Sequence, residues 1–229
     1  MRGLFIIGSS TDVGKTYVAT QIVRDLVARG KKVGVYKPAA SGCRVVAEQL
    51  VSDDAVALWE AAGRLGRLED VCPQRFSAPL APHLAAERDG CEIDEDLLFD
   101  GLEAWQESEI VIVEGAGGWF SPLSESLLNA DLAIELQLPV VIVVRNTIGA
   151  INQALLTLSA ALDSRPSVTV AAIVLNQTDS TLDASVQDNA TALAAQLKRQ
   201  QIDVPLLTMN YGEATFHPKL DWWQLSKNI

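Results

Sequence analysis

At 229 residues, the chain is long enough to bury roughly 70% of its unfolded surface, and one α/β domain over 1–229 is of ordinary size. Apolar residues make up 48% and charged residues 21%, which excludes wholesale disorder. The net charge of −11, with no cluster of Lys and Arg interleaved with aromatics, argues against nucleic acid as a partner.

The longest apolar runs, such as 139–144, fall far short of the ~20 residues of a membrane span. Residues 1–3 lead straight into a strand-like run without an apolar leader, so a cytoplasmic location is expected and a membrane is not. Cys43, Cys72 and Cys91 are odd in number and lack C-x-x-C spacing, so they read as reduced structural thiols. His83 and His217 are isolated, which argues against a histidine metal site.

The first strand is 4–7, LFII, and it runs into 8–16, GSSTDVGKT. Val18, Ile22, Val23, Leu26 and Val27 then recur at helical spacing, and Gly30 closes that helix. VGVY at 33–36 is the next strand, followed by a helix over 54–62 and a Pro-rich ordered loop over 72–83. A helix is predicted over 94–107, and short β-branched strands over 110–113, 140–144 and 170–175. Helices over 129–138, 151–162 and 182–199 fall between and after them. This alternation calls for an α/β fold: a mostly parallel sheet with helices on both faces.

GSSTDVGKT differs from the phosphate-loop pattern G-x-x-x-x-G-K-[ST] in having five residues between Gly8 and Gly14. A loop that leaves a buried strand and opens a helix gathers backbone N–H groups and the positive end of the helix dipole at one point. There Gly14 permits close approach to phosphate, Lys15 reaches the β and γ phosphates, and the Thr16 hydroxyl suits Mg²⁺. Glu114, after strand 110–113, is either a metal ligand or an acid solvated beside a glycine turn. Asp54, in SDDAV, is either a second ligand or part of a helix N-terminus. Lys37 follows VGVY at the end where open α/β sheets bind ligands, or it is a surface lysine before a proline.

Four motifs appear in order: GSSTDVGKT, YKPAASG at 36–42, VEGAGGWFSPL at 113–123 and GAINQALLT at 149–157. Together they resemble the dethiobiotin synthetase family over the chain up to about Asn176, and the five-residue loop spacing is that family's spacing. The resemblance implies a phosphate-loop nucleotide-binding fold and an ATP-dependent ring closure. In that reaction 7,8-diaminopelargonate and CO₂ form a carbamate, ATP converts it to a carbamic–phosphoric anhydride, and the second amine expels phosphate. It also implies that Lys15, Lys37 and Thr11 serve catalysis, that Thr11 and Ser41 hydrogen-bond the carbamate, and that Thr16, Asp54 and Glu114 surround Mg²⁺. Nucleotide contacts extend over Asp12, Val13, Gly14 and Tyr17, over Gly115, Ala116 and Gly117 with exposed N–H groups, and over Asn176 and Gln177. Gly149, Ala150, Ile151 and Asn152 match a helix start that takes the substrate carboxylate across a homodimer.

The family carries a proline-bearing segment after P-L-L to close over the base, and here Tyr211 stands at that place in PLLTMNYGE. The tail from 216, with adjacent Trp222 and Trp223, reads as core packing or, more sharply, as a dimer contact. Three other readings remain: another amidoligase-like relative of the same nucleotide-binding group, against which YKPAASG argues, a partition-type switch ATPase that binds a protein partner, and a non-catalytic nucleotide-binding module. Partition ATPases carry an extra lysine early in the loop where this chain has Ser9 and Ser10, and a non-catalytic module needs neither Lys37 nor Glu114.

Overall fold

The computed structural model describes residues 2–180 and 184–226. Strand β1 (Gly3–Gly8) passes through the glycine loop into helix α1 (Lys15–Ala28), and β2 (Val33–Tyr36) follows. The chain then makes short pieces: β3 (Ala39–Ala40), β4 (Arg44–Val46), β5 (Gln49–Val51), α2 (Asp53–Ala61), α3 (Leu68–Val71), β6 (Gln74–Arg75), α4 (Pro82–Arg88) and α5 (Glu95–Asp100). Long regular elements resume with β7 (Ile110–Gly118), α6 (Asn129–Leu136), β8 (Val140–Arg145), α7 (Ala150–Leu162) and β9 (Val170–Asn176). The end is α8 (Val186–Arg199), β10 (Leu206–Met209) and α9 (Trp222–Leu225).

Six strands form one sheet in the order β10-β9-β8-β1-β7-β2, and every pairing in it is parallel. All residues of β1, β2 and β9 are buried, on both faces of the sheet, which is why these strands read as continuous Val, Ile and Leu runs instead of alternating. Helix α1 packs on β1, β2 and β7, while α7 packs on β8 and β9. The chain winds from β1 toward β2 and β7, then crosses back to β8 on the other side of β1. The carboxyl ends of β1, β7 and β8 therefore flank a topological switch point, where doubly wound sheets leave a crevice.

Three predicted elements are corrected by tertiary partners. The strand expected over 110–113 continues to Gly118, so Glu114 lies inside β7, opposite Ile6. The register then shifts, with Gly8 opposite Gly118, and the glycine run tolerates this bulge. The helix expected over 94–107 starts with Asp94 accepting from the Leu97 N–H at 3.0 Å, but its α-helical part stops at Asp100 and a 3₁₀ turn covers Gly101–Trp105. The Tyr36 hydroxyl donates to the Leu97 and Leu98 carbonyls at 2.7 and 3.2 Å, where the α-helix gives way to the tighter turn. Within the predicted loop 72–83, β6 pairs with β3 and α4 begins at Pro82. Of the helix predicted over 182–199, residues 182 and 183 lie outside the described residues, and the observed helix starts at Val186.

The tail is core packing in part. Trp222 is buried and meets Phe216 edge to face at 4.9 Å. Trp223 lies between Arg2 at 4.0 Å and Lys31 at 3.9 Å, and its carbonyl accepts from Arg2 at 2.7 Å. All three cysteines are free, Cys43 and Cys72 being buried and Cys91 exposed; burial pushes the Cys72 thiol up to about 12. Among the described residues no helix is long and apolar enough to cross a membrane.

Candidate active site

The loop after β1 carries two residues in the left-handed region, Asp12 at φ 56° and Gly14 at φ 82°. Gly14 is needed on two counts: its backbone conformation strains any L side chain, and a Cβ there would fall 2.2 Å from Asn176 Nδ2. The Asn176 amide donates to the Val13 carbonyl at 2.9 Å and so holds the loop down from the end of β9. Lys15 opens α1, is 9% exposed, and makes no hydrogen bond or ion pair among the described residues. No acidic residue occupies the first turn of α1, so the positive end of that helix has no internal anion to meet. Burial lowers the Lys15 pKa, and the nearby Glu114 charge only partly restores it.

Three elements bring acids and a second lysine to this loop. Lys37 follows β2, and its backbone N–H is anchored on the Val71 carbonyl at 2.7 Å. Asp54 stands in the first turn of α2, which Ser52 caps by accepting from the Ala55 N–H. Glu114, fully buried, comes from β7. Lys37 Nζ lies 2.7 Å from Glu114 Oε1 and 3.2 Å from Asp54 Oδ2. The Thr16 hydroxyl faces Asp54 Oδ1 at 2.8 Å and Glu114 Oε1 at 2.9 Å, and a single O–H is shared between them. Burial alone would lower Lys37, but Glu114 and Asp54 outweigh it and hold the ammonium well above the usual lysine range. Burial likewise opposes ionisation of Asp54, and Lys37 and Thr16 overcome it, leaving its pKa below the ordinary value.

Glu114 Oε2 is buried and has no hydrogen-bond partner among the described residues. An orphaned carboxylate oxygen beside a threonine hydroxyl and a second carboxylate is a set of hard oxygen donors, the kind Mg²⁺ prefers. The set is small: among the described residues no three His, Cys, Asp or Glu side chains gather around one metal position.

The glycine run after Glu114 is held by a side chain from α6. Asn129, fully buried at the start of α6, accepts from the Ala116 N–H at 3.0 Å and donates to the carbonyls of Ala116, Gly118 and Ser121 at 2.7, 3.2 and 3.1 Å. The Gly118 N–H is taken by Ser121 Oγ at 2.8 Å. The N–H groups of Ala116 and Gly118 are thus engaged within the chain. Gly115 leaves room for the clamp, since a Cβ there would lie 2.5 Å from Asn129 Oδ1. Nothing local in the sequence signals this clamp, because an Asn at a helix start is ordinarily a cap.

Thr11 is exposed and lines a cleft of about 1130 Å³ with Ser9, Ser10, Trp119, Phe120 and Leu156. Ser41 lies half-buried just after β3. Gly149, at φ 88°, caps α7; Ala150 is buried, Ile151 half-buried and Asn152 exposed. The Ser9 hydroxyl donates to Gln153 at 3.1 Å, tying this helix start to the loop of the same chain. Gln177 is turned into its own bend, with Nε2 on the Asp179 carbonyl at 3.0 Å. Tyr211 is 55% exposed in the turn after β10, and the Tyr17 hydroxyl holds that turn by donating to the Glu213 carbonyl at 2.8 Å. Asn176 Oδ1, buried beside Gly14, has no partner among the described residues.

A family model described as an AAA domain matches residues 2–207, past the Asn176 limit of the motif resemblance. The ATP-dependent dethiobiotin synthetase BioD of Rhodopirellula baltica is 40% identical over 201 residues, covering 82% of this chain and 78% of the relative. The protein of the same name from Anaeromyxobacter dehalogenans is 41% identical, covering 88% of each chain. Among solved structures, a ParA family ATPase from Chlorobium tepidum superposes with TM-score 0.55 at 14% identity, covering 93% of this chain and 85% of its own. The signal recognition particle receptor FtsY from Elizabethkingia anophelis gives 0.52 at 16% identity, covering all of this chain and 62% of its own. These structural likenesses show the phosphate-loop fold alone. By its sequence over most of its length, the chain belongs to the ATP-dependent dethiobiotin synthetase family.

Proposed function

We propose that the chain, working as one ligase domain over 1–229, forms dethiobiotin from 7,8-diaminopelargonate, CO₂ and ATP. The observation that carries this reading is the meeting of Thr16, Lys37, Asp54 and Glu114 beside the phosphate loop, within 3.2 Å of one another through Lys37 and Thr16. A carbamate of the substrate takes the γ-phosphoryl group, giving a carbamic–phosphoric anhydride, and the second amine attacks its carbonyl and expels phosphate. Such a sequence asks the protein for positioning and charge rather than for a nucleophile.

Lys15, buried and without an internal anion, receives the β and γ phosphates. Lys37 contacts the carbamate and the transferred phosphoryl, and Thr11 and Ser41 hydrogen-bond the carbamate. The Thr16 hydroxyl, Asp54 and Glu114 would hold Mg²⁺, which would supply neutralisation of phosphate charge. Asp12, Val13, Gly14 and Tyr17 shape the phosphate cradle, and Gly115, Ala116 and Gly117 wall it. Asn176 Oδ1 accepts from the amino group of adenine, with Gln177 and Tyr211 beside the base. Gly149, Ala150, Ile151 and Asn152 take the substrate carboxylate at the positive end of α7, across a homodimer. ATP chemistry and three free cysteines go with a cytoplasmic location.

The ParA-like fold does not favour a partition switch here, because Ser9 and Ser10 stand where such ATPases carry their additional lysine. Incubation with 7,8-diaminopelargonate, bicarbonate and Mg·ATP should yield dethiobiotin and one phosphate per product. Absence of dethiobiotin with every nucleotide tried overturns the reading.

A further inference from the structure

We propose that Lys37 makes the cation site selective for metal that arrives with nucleotide over free metal, by competing for the same carboxylate oxygens. The proposal rests on the ligase reading of this site. Glu114 Oε1 is shared by the Thr16 hydroxyl and the Lys37 ammonium, and Asp54 gives one oxygen to each of them. Of the four carboxylate oxygens, only Glu114 Oε2 is unengaged. A divalent cation that takes Thr16, Asp54 and Glu114 as ligands meets the ammonium at hydrogen-bond distance from two of them.

Charge decides the outcome. Buried Lys15 and Lys37 balance buried Glu114 and half-exposed Asp54, so a bare divalent cation adds two unbalanced charges next to an ammonium that burial keeps from water. A metal–nucleotide complex brings its own anions, and the phosphates give Lys37 a replacement partner as it leaves the carboxylates. Lys37 therefore reaches the reacting groups only when metal and nucleotide are both present, which couples phosphate binding to the arming of this lysine.

The test is binding of Mn²⁺ alone, without nucleotide, to the full-length protein, read from the electron paramagnetic resonance signal of free Mn²⁺. Lys37→Met should bind Mn²⁺ at least about tenfold more tightly than wild type, because the repulsion is removed, and Lys37→Arg should stay as weak as wild type. Equal or weaker binding by folded Lys37→Met overturns the proposal. Circular dichroism checks the fold of that variant, which leaves Glu114 without its counter-charge. Wild-type protein supplies a second test: millimolar Mg²⁺ alone should leave its Tm unchanged, and Mg²⁺ with a non-hydrolysable ATP analogue that keeps the γ-phosphate should raise it. A rise with Mg²⁺ alone overturns the proposal whatever the variant does. Neither readout involves dethiobiotin, so a protein that shows the competition but makes no product fails the ligase reading only.

Discussion

The phosphate-loop side of the cleft and its β2–β7 side each bury one lysine, and the two are treated in opposite ways. Lys15, at the start of α1, makes no hydrogen bond or ion pair among the described residues, and burial lowers its pKa more than the nearby Glu114 charge raises it. Lys37, at the end of β2, is fixed between Glu114 and Asp54 and its pKa is raised. A buried cation without a partner costs stability that a bound anion returns; a buried cation with two partners holds structure together until a competitor takes its place. One side of the site is thus poised for an anion, the other for an exchange of cations.

Removing each lysine separates the two cases. Lys37→Ala should destabilise the protein by about 3–5 kcal/mol, because Glu114 is left buried without a counter-charge, while Lys15→Ala should leave the urea midpoint unchanged or raise it. Both should lower kcat/KM by roughly 10²–10³-fold, as loss of one charge contact to the transition state does. Equal stability losses would dissolve the distinction.

Asn129→Ala tests the wall between these sides. With the carbonyls of Ala116, Gly118 and Ser121 losing their donor, stability should fall by about 1–3 kcal/mol, and KM for ATP should rise more than kcat falls. An unchanged KM would make Asn129 purely structural.

A smaller effect separates the lysines by pH. Lys15 must be protonated to hold phosphate, so ATP affinity should fall as pH rises through its lowered pKa, at a pH below the ordinary lysine value of ~10.4. In the same window, the stability of the protein without ligand gains a rising contribution from Lys15, because the unfolded chain binds the proton more tightly. Lys37, with its raised pKa, adds no loss of affinity over that range, and Lys15→Arg should carry ATP binding to higher pH. The least consequential change is at the far end of α1: Trp223→Ala should cost about 1 kcal/mol through its stacked Arg2 and Lys31 and leave turnover intact.

The loop side was the more legible in sequence. Val and Ile runs report strands buried on both faces, and G-K-T at a strand-to-helix turn reports an anion site from local spacing alone. On the β2–β7 side, Asp54, Lys37 and Glu114 come from elements far apart in the chain, and the residues alone left Asp54 and Lys37 open until the motifs were read together. What escaped was decided by distant partners. The 94–107 helix changes to a 3₁₀ turn where the distant Tyr36 hydroxyl meets its carbonyls, and β7 runs on to Gly118 because β1 pairs with it beyond Glu114. Asn129 holds the glycine run with a side chain whose sequence signature is that of a helix cap. The strand β10, four residues long, carries too short an apolar run to announce itself.

The ring-closure route is tested most directly by the fate of the CO₂ oxygens. With ¹⁸O-labelled CO₂, a carbamate oxygen attacks the γ-phosphorus and departs with it, so the released phosphate should carry one labelled oxygen and the dethiobiotin carbonyl another. Dethiobiotin formed alongside phosphate with no label would contradict the anhydride and, with it, the arrangement of both lysines around one transferred phosphoryl group.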